Sequence, residues 1–219
     1  CWGVCWIVQI SNRSWGKFEM TITYRVKNGV YVNMTNRCPC ACTFCLRQNA
    51  PGVDGSDPLW LEREPTVEEV EQSLAAWDLS EKEEVVFCGY GEPTERLPEL
   101  LEVAAWLKTR SSIPIRINTN GLADLIWGEP TAPWLAGKID CVSVSLNATN
   151  AEEYQKVCRP KFGIGSYDAM LKFTKECARC VPHVVMTVVD QVTTPEEQEK
   201  ARSICRAVGA TLRIRPYEA

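Results

Sequence analysis

The stretch Val30–Cys45, VYVNMTNRCPCACTFC, sets the reading of the whole chain. It begins as a β-branched strand, Val30–Thr35, and runs directly into a polar loop carrying Cys38, Cys40, Cys42 and Cys45. A strand that ends in a loop dense with reactive side chains is the arrangement of an α/β protein, which binds its ligands at the carboxyl ends of parallel strands.

Outward from this stretch, short β-branched runs alternate with amphipathic helical segments. Thr21–Val26 faces the first strand across the turn signal Lys27-Asn28-Gly29. After the polar loop Asn36–Glu64, a helix opens at Pro65-Thr66-Val67-Glu68, with Val67, Val70, Leu74 and Trp77 on one face. Strands are predicted at Glu84–Cys88, Ile113–Asn118, Asp140–Leu146, His183–Val189 and Thr211–Arg215. Helices are predicted through Leu100–Leu107, Ala151–Val157, Tyr167–Ala178 and Pro195–Val208, the last stopped by Gly209. Six such units of about 30 residues are each the size of a βαβ repeat. That is two units short of a closed barrel of about 250 residues. The expected fold is α/β, a single-domain partial (β/α)6 TIM-like barrel open on one side, with a doubly wound sheet as the alternative. Residues 1–19 carry Trp2, Trp6 and Trp15 without a helical or strand period. They are expected to be a non-native or extra N-terminal segment, and residues 20–219 the core domain.

Of the 219 residues, 45% are hydrophobic and 24% charged, a globular balance that excludes wholesale disorder. The formal net charge of -4 and the lack of a Lys/Arg tract argue against non-specific nucleic-acid or anionic-membrane binding. No run approaches the ~20 apolar residues that span a bilayer. Cys1–Ile10 also lacks the basic n-region and cleavage site of a secretory signal. A cytoplasmic location is expected, which argues against reading the cysteines as a disulfide framework.

Cys38, Cys42 and Cys45 are spaced C-x3-C-x2-C, with Cys40 between them. Cysteines this close form disulfides poorly, and clustered thiolates favour a soft metal centre. Tetrahedral zinc usually draws on two separated pairs, and no clear second pair accompanies this loop. Three thiolates leave a four-iron cluster with one iron free of protein, an open position for a substrate or cofactor. Structural zinc and plain surface thiols are the alternatives. The other predicted strands end in Gly89-Tyr90-Gly91-Glu92-Pro93-Thr94, Asn118-Thr119-Asn120-Gly121 and Ser145-Leu146-Asn147-Ala148. Asparagine at a strand end is also simply a turn former.

The spacing Cys38-x3-Cys42-x2-Cys45, with Phe44 just before the last cysteine, resembles the cluster motif of the radical S-adenosylmethionine (SAM) superfamily. The resemblance runs from near Met20 to the end of the chain. It implies that Cys38, Cys42 and Cys45 ligate a [4Fe-4S] cluster whose fourth iron is chelated by S-adenosyl-L-methionine, and that Phe44 packs near the adenine. Gly91-Glu92-Pro93 resembles a GGEP motif whose small residues let the backbone approach the methionine amino group; Tyr90 stands where that motif usually has glycine. Ser145 and Asn147 match positions that contact the ribose or carboxylate of SAM, and Asn118 and Asn120 a position facing cofactor or substrate.

The implied activity is reductive cleavage of SAM to a 5′-deoxyadenosyl radical that abstracts hydrogen from an unidentified substrate. A reductant such as flavodoxin or ferredoxin is the implied electron donor. Within the superfamily, YVNMTNRCPCACTFCLRQ, GYGEPT and Cys158-Arg159-Pro160 are most similar to the TatD-associated radical SAM proteins, implying a link to a TatD-type hydrolase. The competing expectation is a non-catalytic iron-sulfur or zinc-binding module.

Among the remaining groups, Cys88 and Cys141 are expected to be core thiols within strands. Cys158, Cys177, Cys180 and Cys205 are expected to be buried or surface thiols, with Cys177-x2-Cys180 as an alternative auxiliary metal pair. His183 is expected to be structural. Arg213 and Arg215 fall on one face of the last strand, as anion contacts or rim ion pairs, and Arg159 is a further candidate anion contact.

Overall fold

Thr23–Val26 (β1) and Gly29–Val32 (β2) form the predicted hairpin, with Lys27 at the turn in a left-handed conformation (φ 52°). The computed structural model describes residues 20–48, 52–190 and 194–215. The expectation for residues 1–19 lies outside the described residues. The remaining strands are β3 (Val85–Phe87), β4 (Ile115–Thr119), β5 (Cys141–Ser145), β6 (His183–Val189) and β7 (Thr211–Arg215). The helices are α1 (Val67–Ala75), α2 (Leu97–Lys108), α3 (Ala123–Trp127), α4 (Ala151–Cys158), α5 (Ser166–Cys180) and α6 (Pro195–Val208).

The strands make one sheet in the order β1-β2-β3-β4-β5-β6-β7, antiparallel between β1 and β2 and parallel from β2 onward. A doubly wound sheet reverses its strand order at a switch point. Here the order never reverses, so the chain winds one way, as in a barrel. Among the described residues β7 does not pair back onto β1, and the sheet stays open. This is the partial TIM-like architecture expected from the sequence, with β1 added at one edge.

Strand alternation divides the sheet into two faces. Val30, Val32, Val85, Phe87, Ile115, Ile117, Val142, Val144, Met186 and Val188 are buried in a core shared with Leu74 of α1, Leu100 and Leu107 of α2, Phe173 of α5 and Ala201 of α6. The inner face carries Tyr31, Arg116, Asn118, Cys141, Ser143, Ser145, Thr187, Arg213 and Arg215 instead, aligned by the parallel registers. Cys141 is therefore a half-buried inner-face thiol, as is Cys88 just beyond β3, rather than the core thiols expected. Cys177 and Cys205 do lie in the helix-side core.

Local signals explain the well-placed boundaries. α1 starts with a capping box between Thr66 and Glu69. α6 starts with a box between Thr194 and Glu197, has Pro195 in its first turn, and ends on left-handed Gly209. The first strand stops at Val32 rather than Thr35. β3 offers only three residues of partner, and the buried Asn33 amide donates to the Leu59 carbonyl (2.7 Å) and the Thr21 carbonyl (3.3 Å). β4 starts at Ile115 because Pro114 has no N–H to give a ladder. The five-residue α3, closed by left-handed Gly128, has too few turns to leave a periodic signal.

Candidate functional site

The cysteine loop leaves the carboxyl end of β2 and is clamped by the end of α4. Ala41 N–H donates to the Cys158 carbonyl (3.1 Å), Thr43 N–H to the Val157 carbonyl (2.9 Å), and Lys161 N–H to the Pro39 carbonyl (2.8 Å). An isolated bridge joins Cys40 to Pro160. Arg159 caps α4 in a left-handed conformation (φ 48°), turning the chain so that Cys158 and Pro160 both meet the loop. The tripeptide Cys158-Arg159-Pro160 thus has a structural meaning: it holds the cysteine loop on the sheet.

The clamp also delivers a thiol. The Cys40 thiol contacts both the Cys38 and Cys42 sulfurs, and Cys158 contacts Cys42. Hydrogen bonding from Cys40 holds the Cys38 thiol below its usual range. Hydrogen bonding from Cys158 and Cys40 brings Cys42 down to about 4. The same contacts push Cys40 and Cys158 upward, and burial pushes Cys45 upward. Cys38 and Cys42 are thereby favoured as thiolates, with Cys40 and Cys158 as neutral S–H donors beside them. Arg47 adds a positive charge near Cys42 and donates to the Cys40 carbonyl (3.4 Å). Phe44 is half-buried in the turn between Cys42 and Cys45.

Two asparagines at strand ends face these sulfurs. Asn120 Nδ2 lies 3.7 Å from Cys40 Sγ and 4.0 Å from Cys38 Sγ. Asn147, left-handed at φ 58°, donates from Nδ2 to Cys158 Sγ at 3.4 Å. Asn118 sits lower on the inner face, accepting from Arg116 Nη1 (2.6 Å), and it offsets part of the rise that burial imposes on the Cys88 thiol. Ser145, at the end of β5, is half-buried in the row of Thr187 and Arg213.

Glu92 occupies the centre of the strand-end layer. Its Oε1 accepts from Thr94 N–H (3.1 Å), Thr94 Oγ1 (2.8 Å) and Thr119 Oγ1 (2.7 Å), and its Oε2 accepts from Asn120 N–H (2.7 Å). The residue is 4% exposed, and burial raises its pKa against these hydrogen bonds. It therefore acts as a lock joining the loops after β3 and β4. Its own N–H donates to the Arg37 carbonyl (2.7 Å), which ties the lock to the residue before Cys38.

Gly91 is required for that approach. A Cβ there would lie 2.2 Å from the Thr35 carbonyl oxygen and 2.7 Å from that of Arg37, both backbone atoms. Gly91→Ala is expected to destabilise the fold by roughly 1–3 kcal/mol, the cost of overpacking. It should also displace the chain entering Cys38; thermal unfolding measures the loss of stability. Tyr90 packs with Tyr24 and Leu59 and stands edge-on to Trp60 at 5.3 Å. The tyrosine in place of glycine thus fills space beside the β1–β2 hairpin.

Sequence reasoning passed over Cys158 as a site neighbour, and the roles of Thr94 and Thr119. Only the motif Cys158-Arg159-Pro160 hinted at the first, and no spacing rule links it to the cysteine loop. Among the described residues no group of three or more His, Cys, Asp or Glu is arranged to hold a single metal ion, the Cys177-Cys180 pair included. A four-iron cluster asks something different, because each thiolate ligates its own iron. Cys38, Cys42 and Cys45, carried on one loop with Cys40 beside the first two and Cys158 beside Cys42, fit that demand in donor type.

A thiol-rich loop after the first parallel strand of an open, singly wound α/β sheet defines a partial-barrel protein with a sulfur-donor site at its strand ends. Residues 32–203 match the model of the radical SAM superfamily, and the chain belongs to that superfamily. Members typically use a [4Fe-4S] cluster and SAM.

The fold is similar to Streptococcus suis SuiB bound to the precursor peptide SuiA, with TM-score 0.60 and 17% identity over 86% of this chain and 39% of SuiB. SuiB bound to S-adenosylmethionine gives TM-score 0.60 and 15% identity over 86% and 38% of the two chains. Methylornithine synthase (PylB) gives TM-score 0.59 and 14% identity over 87% and 53%. This chain therefore spans less than half the length of SuiB. No curated protein matches it. No helix among the described residues is long and apolar enough to cross a membrane.

Proposed function

We propose that this domain is a radical SAM enzyme in which Cys38, Cys42 and Cys45 hold a [4Fe-4S] cluster and the adjoining strand ends bind SAM. The observation that carries the reading is the cysteine loop itself, seated at the carboxyl end of β2 with thiolate-favouring contacts on Cys38 and Cys42. Cys38, Cys42 and Cys45 would hold the cluster, and the chemistry it would supply there is one-electron reductive cleavage of a SAM bound beside it, the source of a hydrogen-abstracting radical.

The chain's own contribution is positioning. Asn120 and the backbone beside Gly91 border the open side of the loop, where the amino and carboxylate groups of methionine need polar partners. Asn147 and Ser145, at and just beyond the end of β5, would contact the ribose or carboxylate. Phe44 offers an apolar surface to the adenine. Glu92 is engaged by four donors, so its role is to keep the loops after β3 and β4 in register. Neutral Cys40 and Cys158 donate to the ligand sulfurs, an arrangement that tunes sulfur basicity and with it the potential of an iron–sulfur centre. We further place the protein in the cytoplasm, with flavodoxin or ferredoxin as reductant, and within the TatD-associated group, in functional partnership with a TatD-type hydrolase.

Anaerobic reconstitution with iron and sulfide tests the proposal. A brown protein with four irons and four acid-labile sulfides, forming 5′-deoxyadenosine from SAM under dithionite, is the expected result. A colourless protein retaining zinc, or a normal cluster that leaves SAM intact, would favour the non-catalytic module.

A further inference from the structure

The inner face has an unbalanced charge that the SAM chemistry leaves unused. Arg116 is 7% exposed and satisfied: it donates to Glu84 from Nε (2.9 Å) and Nη2 (2.5 Å), to Asn118 Oδ1 and to the Tyr31 hydroxyl. That pair is neutral overall. Glu92 is enclosed by its four donors. Arg213 and Arg215 remain, and among the described residues neither has an ion-pair partner. Among the described residues Arg215 Nε is buried without a hydrogen bond.

Charged residues on an edge strand commonly serve to discourage pairing with other chains, and exposed Arg213 alone would fit that role. Arg215 does not. A charge that only blunts an edge stays in water, whereas a buried, unpartnered guanidinium nitrogen carries a desolvation penalty until an acceptor arrives. The registers say where that acceptor would sit. Ser145, Thr187 and Arg213 are side by side in one row, and Arg215 is one step nearer the strand ends, paired with Val189. Arg215 is also close enough to Cys88 to act on its thiol from across the sheet, as Arg116 does from the other side. Hydroxyl donors and two guanidinium forks thus line one side of the inner face, in the row of Ser145 and one step nearer the strand ends, beside the positions assigned to SAM.

We propose that Arg213 and Arg215 form the anion-binding end of the substrate site, so that the substrate carries a carboxylate or phosphate group held by guanidinium forks. Planar, multidentate donors suit such oxyanions better than a lysine does. The inference rests on the radical SAM reading for the word substrate, but the anion site stands on its own geometry. One other source of the same chemistry exists, the carboxylate of SAM, and the experiment separates the two.

Inorganic pyrophosphate is titrated calorimetrically into the protein with and without its cluster, and SAM into the cluster-loaded form. The expected result is saturable pyrophosphate binding, weakened at least about tenfold by R213Q/R215Q. It should be partly restored in R213K/R215K and unchanged in R110Q, whose arginine stacks on Trp106 far from this face. The affinity for SAM should stay within about twofold in the glutamine variant. Pyrophosphate binding that ignores both arginines overturns the proposal. So does a tenfold loss of SAM affinity in that variant with pyrophosphate excluded by SAM, which would assign the arginines to the cofactor carboxylate. If pyrophosphate behaves as expected while wild-type protein forms no 5′-deoxyadenosine, the anion site survives and the radical SAM reading falls.

Discussion

Cys42→Ala is expected to abolish 5′-deoxyadenosine formation, by more than about a hundredfold, since loss of even a supporting partner at a metal site typically costs 10–100-fold. Of the three proposed ligands, Cys42 is the one most strongly prepared as a thiolate, with both Cys158 and Cys40 donating to it. Its removal leaves Cys38 and Cys45, each on one side of the gap. The neighbours make the experiment sharper. Cys40 and Cys158 are close enough to offer a replacement sulfur, so residual iron in Cys42→Ala is expected to vanish in the triple variant that also removes both. Cys40→Ala and Cys158→Ala, by contrast, should each retain a cluster, with activity reduced within the 10–100-fold span of supporting residues. Iron and sulfide analysis, the electron paramagnetic resonance of the reduced protein and product chromatography read these outcomes. A cluster lost in Cys40→Ala and kept in Cys42→Ala would reverse the ligand assignment.

Glu92→Ala is expected to have the largest effect on stability. It strips an acceptor from Thr94 N–H, Thr94 Oγ1, Thr119 Oγ1 and Asn120 N–H in a site only 4% exposed. An orphaned buried donor costs roughly 1–3 kcal/mol. The hydroxyls can rotate toward other acceptors but the two amides cannot, so a loss of about 3–5 kcal/mol is expected, the range for breaking a buried charged network. For a domain of this size that is a fall in melting temperature of roughly 10 °C, measured by circular dichroism. Glu92→Gln should lose less, because its carbonyl still serves three donors if it takes the Oε1 position. Its amide would then face the Asn120 N–H, so recovery stays incomplete. A Glu92→Ala protein as stable as wild type would mean that the carboxylate is held for a ligand rather than for the fold.

Much of the architecture was legible because its signals are local. β6 and α6 were placed correctly because a seven-residue β-branched run and a capping box with a glycine stop are written in consecutive residues. The C-x3-C-x2-C spacing is equally local, and the loop's place after a strand followed from the same period. Boundaries slipped where tertiary demands overrode local preference. Val30–Thr35 reads as a strand throughout, yet Asn33 is needed as a bridge to Leu59, and a three-residue β3 gives the strand no partner beyond Val32.

The division between the two kinds of information is physical. Periodicity, caps and cysteine spacing determined by themselves that this is an α/β chain with a sulfur site at its strand ends, because each depends on neighbours within a few residues. The direction of winding, the arrival of Cys158 beside Cys42, the Glu92 lock and the unpartnered Arg215 were decided only when distant segments packed. Each of those contacts joins separate strands or loops, and its energy comes from burial and hydrogen bonding that exist only once the sheet has formed.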